Sequence, residues 1–190
     1  FRFPAADTVS VETGGSERLR VDSSGRLFIG HTSSITSYGT QSQLQLSGTT
    51  YDNSTIGIRR DSADTGAGGI IFSKSRGSQG GNTVVQSGDS LGEIIFVGAD
   101  GTDATSSAAG IVCKVDGTPG GNDMPGRLEF YTTADGAAGV SERLRIDASG
   151  DLLGTGRIQE IHLAVLLLLQ MELLVMNFTE VFSSTTTTLI

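Results

Sequence analysis

The chain has 190 residues with 27 glycines, three prolines and a single cysteine, and its 13 basic against 21 acidic side chains leave a formal charge of −8. This length suits one domain, or one module with an overhang, and is enough to bury a core. The negative charge repels phosphate backbones and excludes nucleic-acid binding by bulk electrostatics, while a lone cysteine excludes an internal disulfide.

In chain order, Phe1-Arg2-Phe3 opens in mid-pattern, with no initiator Met and no charged and apolar leader, so the chain reads as a segment of something longer. Ser16-Glu17-Arg18-Leu19-Arg20-Val21 follows, with Leu and Val alternating with Arg, as in a strand that shows its apolar side chains to one face and its guanidinium groups to the other. Asp22-Ser23-Ser24-Gly25 then supplies turn chemistry before Leu27-Phe28-Ile29, and the whole predicts a β-hairpin with Gly25 at positive φ and with Leu19 and Val21 in a core. Short apolar runs recur between glycine-rich breaks at Leu44–Leu46, Ile56–Ile58, Ile70–Phe72, Val84–Val85, Ile94–Val97, Ile111–Val115 and Leu128–Tyr131. Each has strand length, and none before residue 153 holds a helical period. Ala99-Asp100-Gly101 and Val115-Asp116-Gly117 read as tight turns, and Gly66-Ala67-Gly68-Gly69 and 77–82 as looser ones. The expected fold is all-β, an antiparallel sandwich or meander of short strands with Gly-rich turns.

At residue 141 the hairpin sentence returns. Ser141-Glu142-Arg143-Leu144-Arg145-Ile146-Asp147-Ala148-Ser149-Gly150-Asp151-Leu152 matches 16–27 at nine of twelve positions, 125 residues on. That spacing is too long for a solenoid, and the second copy reads as the opening of a next module, with Gly150 at positive φ and Leu144 and Ile146 facing a core. The expected organisation is 1–30 as the end of a preceding module with the first hairpin, 31–140 as a β-rich module, 141–153 as the second hairpin and 154–190 as an atypical tail. After Gly156 there is no glycine, and an apolar run at Ile161–Met176 carrying Gln170 and Glu172 leads into a Ser/Thr tract ending at Thr188. The run is short for a membrane span. A segment buried in an oligomer fits better, and a slipped coding frame near residue 153 fits best, because the turn vocabulary disappears where the repeat breaks off.

Residues that carry chemistry are sparse, and none is predicted to be catalytic, cofactor-binding or metal-binding. His31 and His162 have no second His, Cys or carboxylate at ligand spacing, and His31 reads as a solvent-facing loop residue. Cys113 shares a strand face with Ile111 and Val115 and reads as a buried small hydrophobe. Asp61 with Asp64, and Asp100 with Asp103, have the residue type of a glycosidase pair but read as loop-solubilising charges. Asp116-Gly117 and Gly120-Gly121-Asn122-Asp123 lack the ligand spacing of a calcium loop, and no glycine-rich loop is followed by the Lys-Ser or Lys-Thr of a phosphate site. Arg18, Arg20, Arg143 and Arg145 form a basic stripe, but Glu17, Asp22, Glu142 and Asp147 accompany them, which favours cross-strand or inter-subunit ion pairs over an anionic polysaccharide site.

The repeat at 16–30, together with Gly92–Gly101 and Gly126–Thr133, resembles sequence of bacteriophage tail fibre and tail spike proteins, especially of phages of aquatic bacteria. The resemblance covers about residues 9–153 and departs after 153, and the Ser and Lys autocleavage pattern of a self-processing chaperone is missing from this sequence. It implies a homotrimer located in the virion tail, whose distal parts touch a host surface polysaccharide or outer-membrane receptor, with no nucleic acid, no cofactor and no membrane insertion. A non-catalytic structural and host-adhesion module is therefore expected, against a polysaccharide depolymerase or a bacterial surface adhesin. The 6% aromatic content without Trp weighs against a sugar-cleaving groove. Runs such as Ile94–Val97 and Ile111-Val112, apolar on both faces, also favour an oligomer.

Overall fold

The computed structural model describes residues 1–155 and 166–172. The chain divides into two compact units, one of 1–73 with 95–108 and one of 74–94 with 109–190. Strands β1 (Val9–Thr13), β2 (Ser16–Val21), β3 (Leu27–Ile29) and β4 (Leu44–Leu46) form a four-stranded sheet in that order, with β1, β2 and β3 antiparallel and β4 parallel to β3. Strands β5 (Ser90–Val97), β6 (Ser107–Val115), β7 (Gly126–Thr133), β8 (Val140–Ile146) and β9 (Leu152–Gly154) form a five-stranded sheet, again in sequence order. The protein is thus all-β with two meandering sheets, as expected, apart from the parallel β3–β4 pair.

Both copies of the repeated sequence fold as hairpins in the same register. Leu19, Arg20 and Val21 pair with Ile29, Phe28 and Leu27, and Leu144, Arg145 and Ile146 pair with Gly154, Leu153 and Leu152. The turns match as well. Asp22 Oδ1 accepts the N–H groups of Ser24 and Arg26 at 2.9 and 3.0 Å, and Asp147 Oδ1 accepts those of Ser149 and Asp151 at 2.9 Å each. This is the Asx arrangement that a short acidic side chain offers a turning backbone. Gly25 and Gly150 sit at φ +76° and +86°, and a Cβ added at either would meet nothing within 4 Å. Replacing either glycine by Ala therefore costs only the left-handed backbone, about 1 kcal/mol, read as a small drop in urea midpoint.

The equivalence extends one strand upstream, where the sequences have diverged. β1 meets β2 as β7 meets β8, with Ser10 opposite Arg20 and Glu129 opposite Arg145, and each pair carries a bulge at the same point, after Val11 and after Phe130. An extra residue there shifts the alternation of the bulged strand by one.

Alternation and burial run against each other. On one face of the first sheet Val9, Val21, Leu27 and Leu44 form one cross-strand row, and Val11, Leu19, Ile29 and Leu46 the next, yet none of the eight is buried. The opposite face carries Ser10, Arg20, Phe28 and Gln45, of which Ser10, Phe28 and Gln45 are buried. Val21 and Ile146, expected in a core, are 36% and 37% exposed, and Leu19 and Leu144 are half-buried. In the second sheet the apolar rows Cys113-Leu128-Ile146-Leu152 and Ile111-Phe130-Leu144 are likewise not buried. Among the described residues the buried apolar side chains are Phe28, Val85, Val112 and Val115. Apolar faces are formed as the sequence patterns them, but the residues of these rows are left half-buried or exposed.

Three predicted strands do not form. Ile56–Ile58, Ile70–Phe72 and Val84–Val85 have no strand partner, and between 55 and 73 no described backbone group bonds to another. A strand is defined by its ladder, and apolar alternation alone cannot supply one. Residues 166–172 are helical, with Leu166 to Leu169 exposed. Among the described residues no helix is long and apolar enough to cross a membrane. The frame-slip and buried-segment readings of the tail rest largely on 156–165 and 173–190, outside the described residues.

Candidate functional site

The densest gathering of ionisable groups lies on the polar face of the second sheet, around Glu129. Period-two alternation in β7 puts Arg127, Glu129 and Tyr131 on one face, and the register sets Lys114 of β6 opposite Arg127 and Arg145 of β8 opposite Glu129. Glu129 is 1% exposed and carries a carboxylate, a combination that survives only with partners on both oxygens. Lys114 Nζ lies 2.7 Å from Oε2 and Arg127 Nε 2.5 Å from Oε1, the Tyr131 hydroxyl donates to Oε2, and Arg145 stands 3.7 Å away. Burial pushes the Glu129 carboxyl up, but hydrogen bonds from Lys114, Tyr131 and Arg127 outweigh it and hold it at about 2. Arg127 also donates to Asp116 Oδ1 at 2.8 Å, whose other oxygen accepts the Ala148 N–H at 3.1 Å, anchoring the second hairpin's turn. Arg145 is held by Glu142 at 2.7 Å. Three cations and three carboxylates close on one another, so the cluster fixes the β6–β7–β8 alignment and offers no unmatched charge to a substrate.

The first sheet has Ser10 at the Glu129 position, and its hydroxyl is buried with no hydrogen-bond partner among the described residues. Arg20 turns instead to Glu17, at 2.7 and 2.8 Å. Residues three apart in a strand normally point to opposite faces; the bulge brings Glu17 and Arg20, and likewise Glu142 and Arg145, onto one face. Within one chain Glu17–Arg20 and Glu142–Arg145 are thus within-strand pairs, beside the cross-strand pairs expected, and Arg20 and Arg145 are half-buried while Arg18 is exposed. Arg18 and Arg143 donate to Thr13 and Thr132 at 3.0 and 2.9 Å, equivalent threonines of the preceding strands. The second acid of the motif differs between copies, since Asp22 pairs with Arg26 at 2.6 Å and the matching residue in the second copy is Asp151.

His31 lies in a loop after Gly30, as expected, but is half-buried and not fully solvent-facing. Its ring stacks on Phe28 with centroids 4.8 Å apart, Nδ1 lies 2.8 Å from the Ser33 carbonyl, and Arg26 covers the Phe28 ring at 5.9 Å. Cys113 is half-buried on the face shared with Ile111 and Val115. Asp61 and Asp64 pair with Arg59 and Arg60 at 2.8 and 2.6 Å, and Asp100 and Asp103 bind N–H and hydroxyl groups of their own loop, such as Thr102 N–H at 2.8 Å and Thr105 Oγ1 at 2.6 Å. Among the described residues no group of three or more His, Cys, Asp or Glu gathers as metal ligands, and His162 lies outside them.

Sequence reasoning missed Glu129. The signal was Arg127-Leu128-Glu129-Phe130-Tyr131, polar groups at period two inside an apolar run, but burial depends on Lys114 and Arg145, 15 and 16 residues away in either direction.

No protein-family model matches the chain, and neither does any curated protein. Solved structures share its fold, among them two of a bacteriophage tail fibre. One is the carboxy-terminal domain of the bacteriophage T5 L-shaped tail fibre with its intramolecular chaperone domain, at TM-score 0.60 and 16% identity over 78% of this chain and 44% of that one. The other is the carboxy-terminal domain of the same fibre, at TM-score 0.54 and 16% identity over 78% of this chain and 64% of that one. The chain therefore spans less than two thirds of either. At this identity the likeness is one of fold, and it agrees with the two β-meanders described above.

Proposed function

We propose that this chain is a structural and host-adhesion module of a phage tail fibre, non-catalytic, assembled as a homotrimer and carried in the virion tail. The observation that carries the reading is the shared fold with the T5 fibre domain at TM-score 0.60 over 78% of the chain. The apolar rows of both sheets, none of whose members is buried within one chain, support self-association, since burying them against other copies removes apolar area from water. The carboxylates considered for glycoside hydrolysis are occupied by arginines or by their own loop's donors, which favours a scaffold over a depolymerase. Host surface polysaccharide or an outer-membrane receptor is the contact partner of this reading.

Antibodies raised against the purified chain test it. They should decorate the tail fibres of virions encoded by the same genome in electron micrographs. Decoration of a bacterial surface, or release of oligosaccharide from host capsule by the purified chain, would replace the reading with an adhesin or a depolymerase.

A further inference from the structure

We infer that the outer edge of β4 is completed by residues Ile56-Gly57-Ile58 of a neighbouring copy, a surface that rests on the oligomeric reading above. β4 ends the first sheet. Its bonds to β3 run through neighbouring positions, with Leu27 N–H donating to Gln43 at 2.7 Å and Ser47 N–H to Ile29 at 3.1 Å. In a parallel ladder this leaves the N–H and C=O groups of Leu44 and Leu46 facing away from β3. Leu44 and Leu46 also line an open groove of about 320 Å³, together with Ile35, Ser37, Thr40 and Ser42. An unpaired edge of this kind is a template for an added strand.

The occupant is indicated by pattern. Ile56 and Ile58 are 67% and 53% exposed, and their backbone bonds to no other described backbone group. Joining a sheet would bury these two exposed side chains and pair their backbone groups. Set beside β4, Ile56 and Ile58 prolong the two apolar rows that end at Leu44 and Leu46, and Gly57 prolongs the row of Ser10, Arg20, Phe28 and Gln45. On that face Gln45 is enclosed by the 31–43 loop, bonding Ile35 N–H at 2.8 Å and Ser34 Oγ at 3.2 Å, and glycine brings no side chain into the space. Ile70-Ile71-Phe72 fits less well, because Ile71 would fall on this enclosed face. Within one chain no strand pairing joins 56–58 to β4.

The test uses the full chain in a Cys113→Ser background, which removes the native thiol. One chain carries Leu44→Cys and a second, differently tagged, carries Ile56→Cys or Ile58→Cys; strand neighbours lie within disulfide reach. Co-expression should give a disulfide-linked pair carrying both tags, in one of the two combinations. An oligomer without such cross-links, or cross-linking only within a single chain that holds both cysteines, would overturn the pairing and leave the tail-fibre reading standing, whereas a monomer by light scattering would overturn both. Gly57→Val is a second probe that does not depend on cysteine. A Cβ at Gly57 meets nothing within 4 Å in one chain, so the substitution should raise the dissociation constant of the assembly about tenfold through overpacking alone. An unchanged dissociation constant would count against the pairing.

Discussion

Glu129→Ala should destabilise the protein by about 3–5 kcal/mol, because it leaves Lys114 and Arg127 facing each other across β6 and β7 without their shared carboxylate. Glu129→Gln keeps the shape and some of the hydrogen bonds, and should cost less. The same group sets an acid limit. Its carboxyl lies at about 2 in the folded protein against an ordinary 4.5, so between those values the unfolded chain binds the extra proton. The stability it contributes is therefore fully present above about pH 4.5 and is lost as pH falls through 2. The difference amounts to roughly 3 kcal/mol at about 1.4 kcal/mol per pKa unit. Urea midpoints at fixed protein concentration should fall across that window in the native protein and fall less in Glu129→Gln. Asp22 and Asp116, which are also held below the usual range by their hydrogen bonds, sustain the remaining slope. Equal slopes in the two proteins would show that Glu129 is not the charged centre described.

Phe28→Ala should have an effect of the same size, about 3–5 kcal/mol, for a different reason. Phe28 is 1% exposed, and its ring lies against both His31 and Arg26. Deleting it opens a cavity beside His31 and the 31–43 loop, which also bonds Gln45 through Ile35, Ser34 and Ser42. Phe28→Leu should recover most of the loss, as a large apolar side chain refills the space. A midpoint change under about 1 kcal/mol in Phe28→Ala would place the core of the first unit elsewhere.

The two repeated hairpins, their glycine turns and four of the seven apolar runs were legible because each is settled locally, by alternation and by Asp and Gly chemistry. What alternation cannot carry is the identity of the partner. Leu19 and Val21 fall on an apolar face as their spacing requires, but within one chain that face is only half-buried, and full burial passes to Phe28 and Gln45 on the other side. Ile56–Ile58 and Ile70–Phe72 have strand sequence without a strand, for the same reason. The within-strand Glu17–Arg20 and Glu142–Arg145 pairs were not legible because a bulge is a one-residue event that leaves no mark on the Ser-Glu-Arg-Leu-Arg spacing. The Glu129 cluster draws on three strands, and only register brings Lys114 and Arg145 to it.

The proposed homotrimer would cover, with other copies of the chain, the apolar faces that the sequence patterns as core. The molar mass of the full chain in solution, by light scattering behind size-exclusion chromatography, tests it most directly. The expected result is a single species of three chain masses that dissociates only as its β structure is lost. A stable, monodisperse monomer that retains both sheets would contradict it.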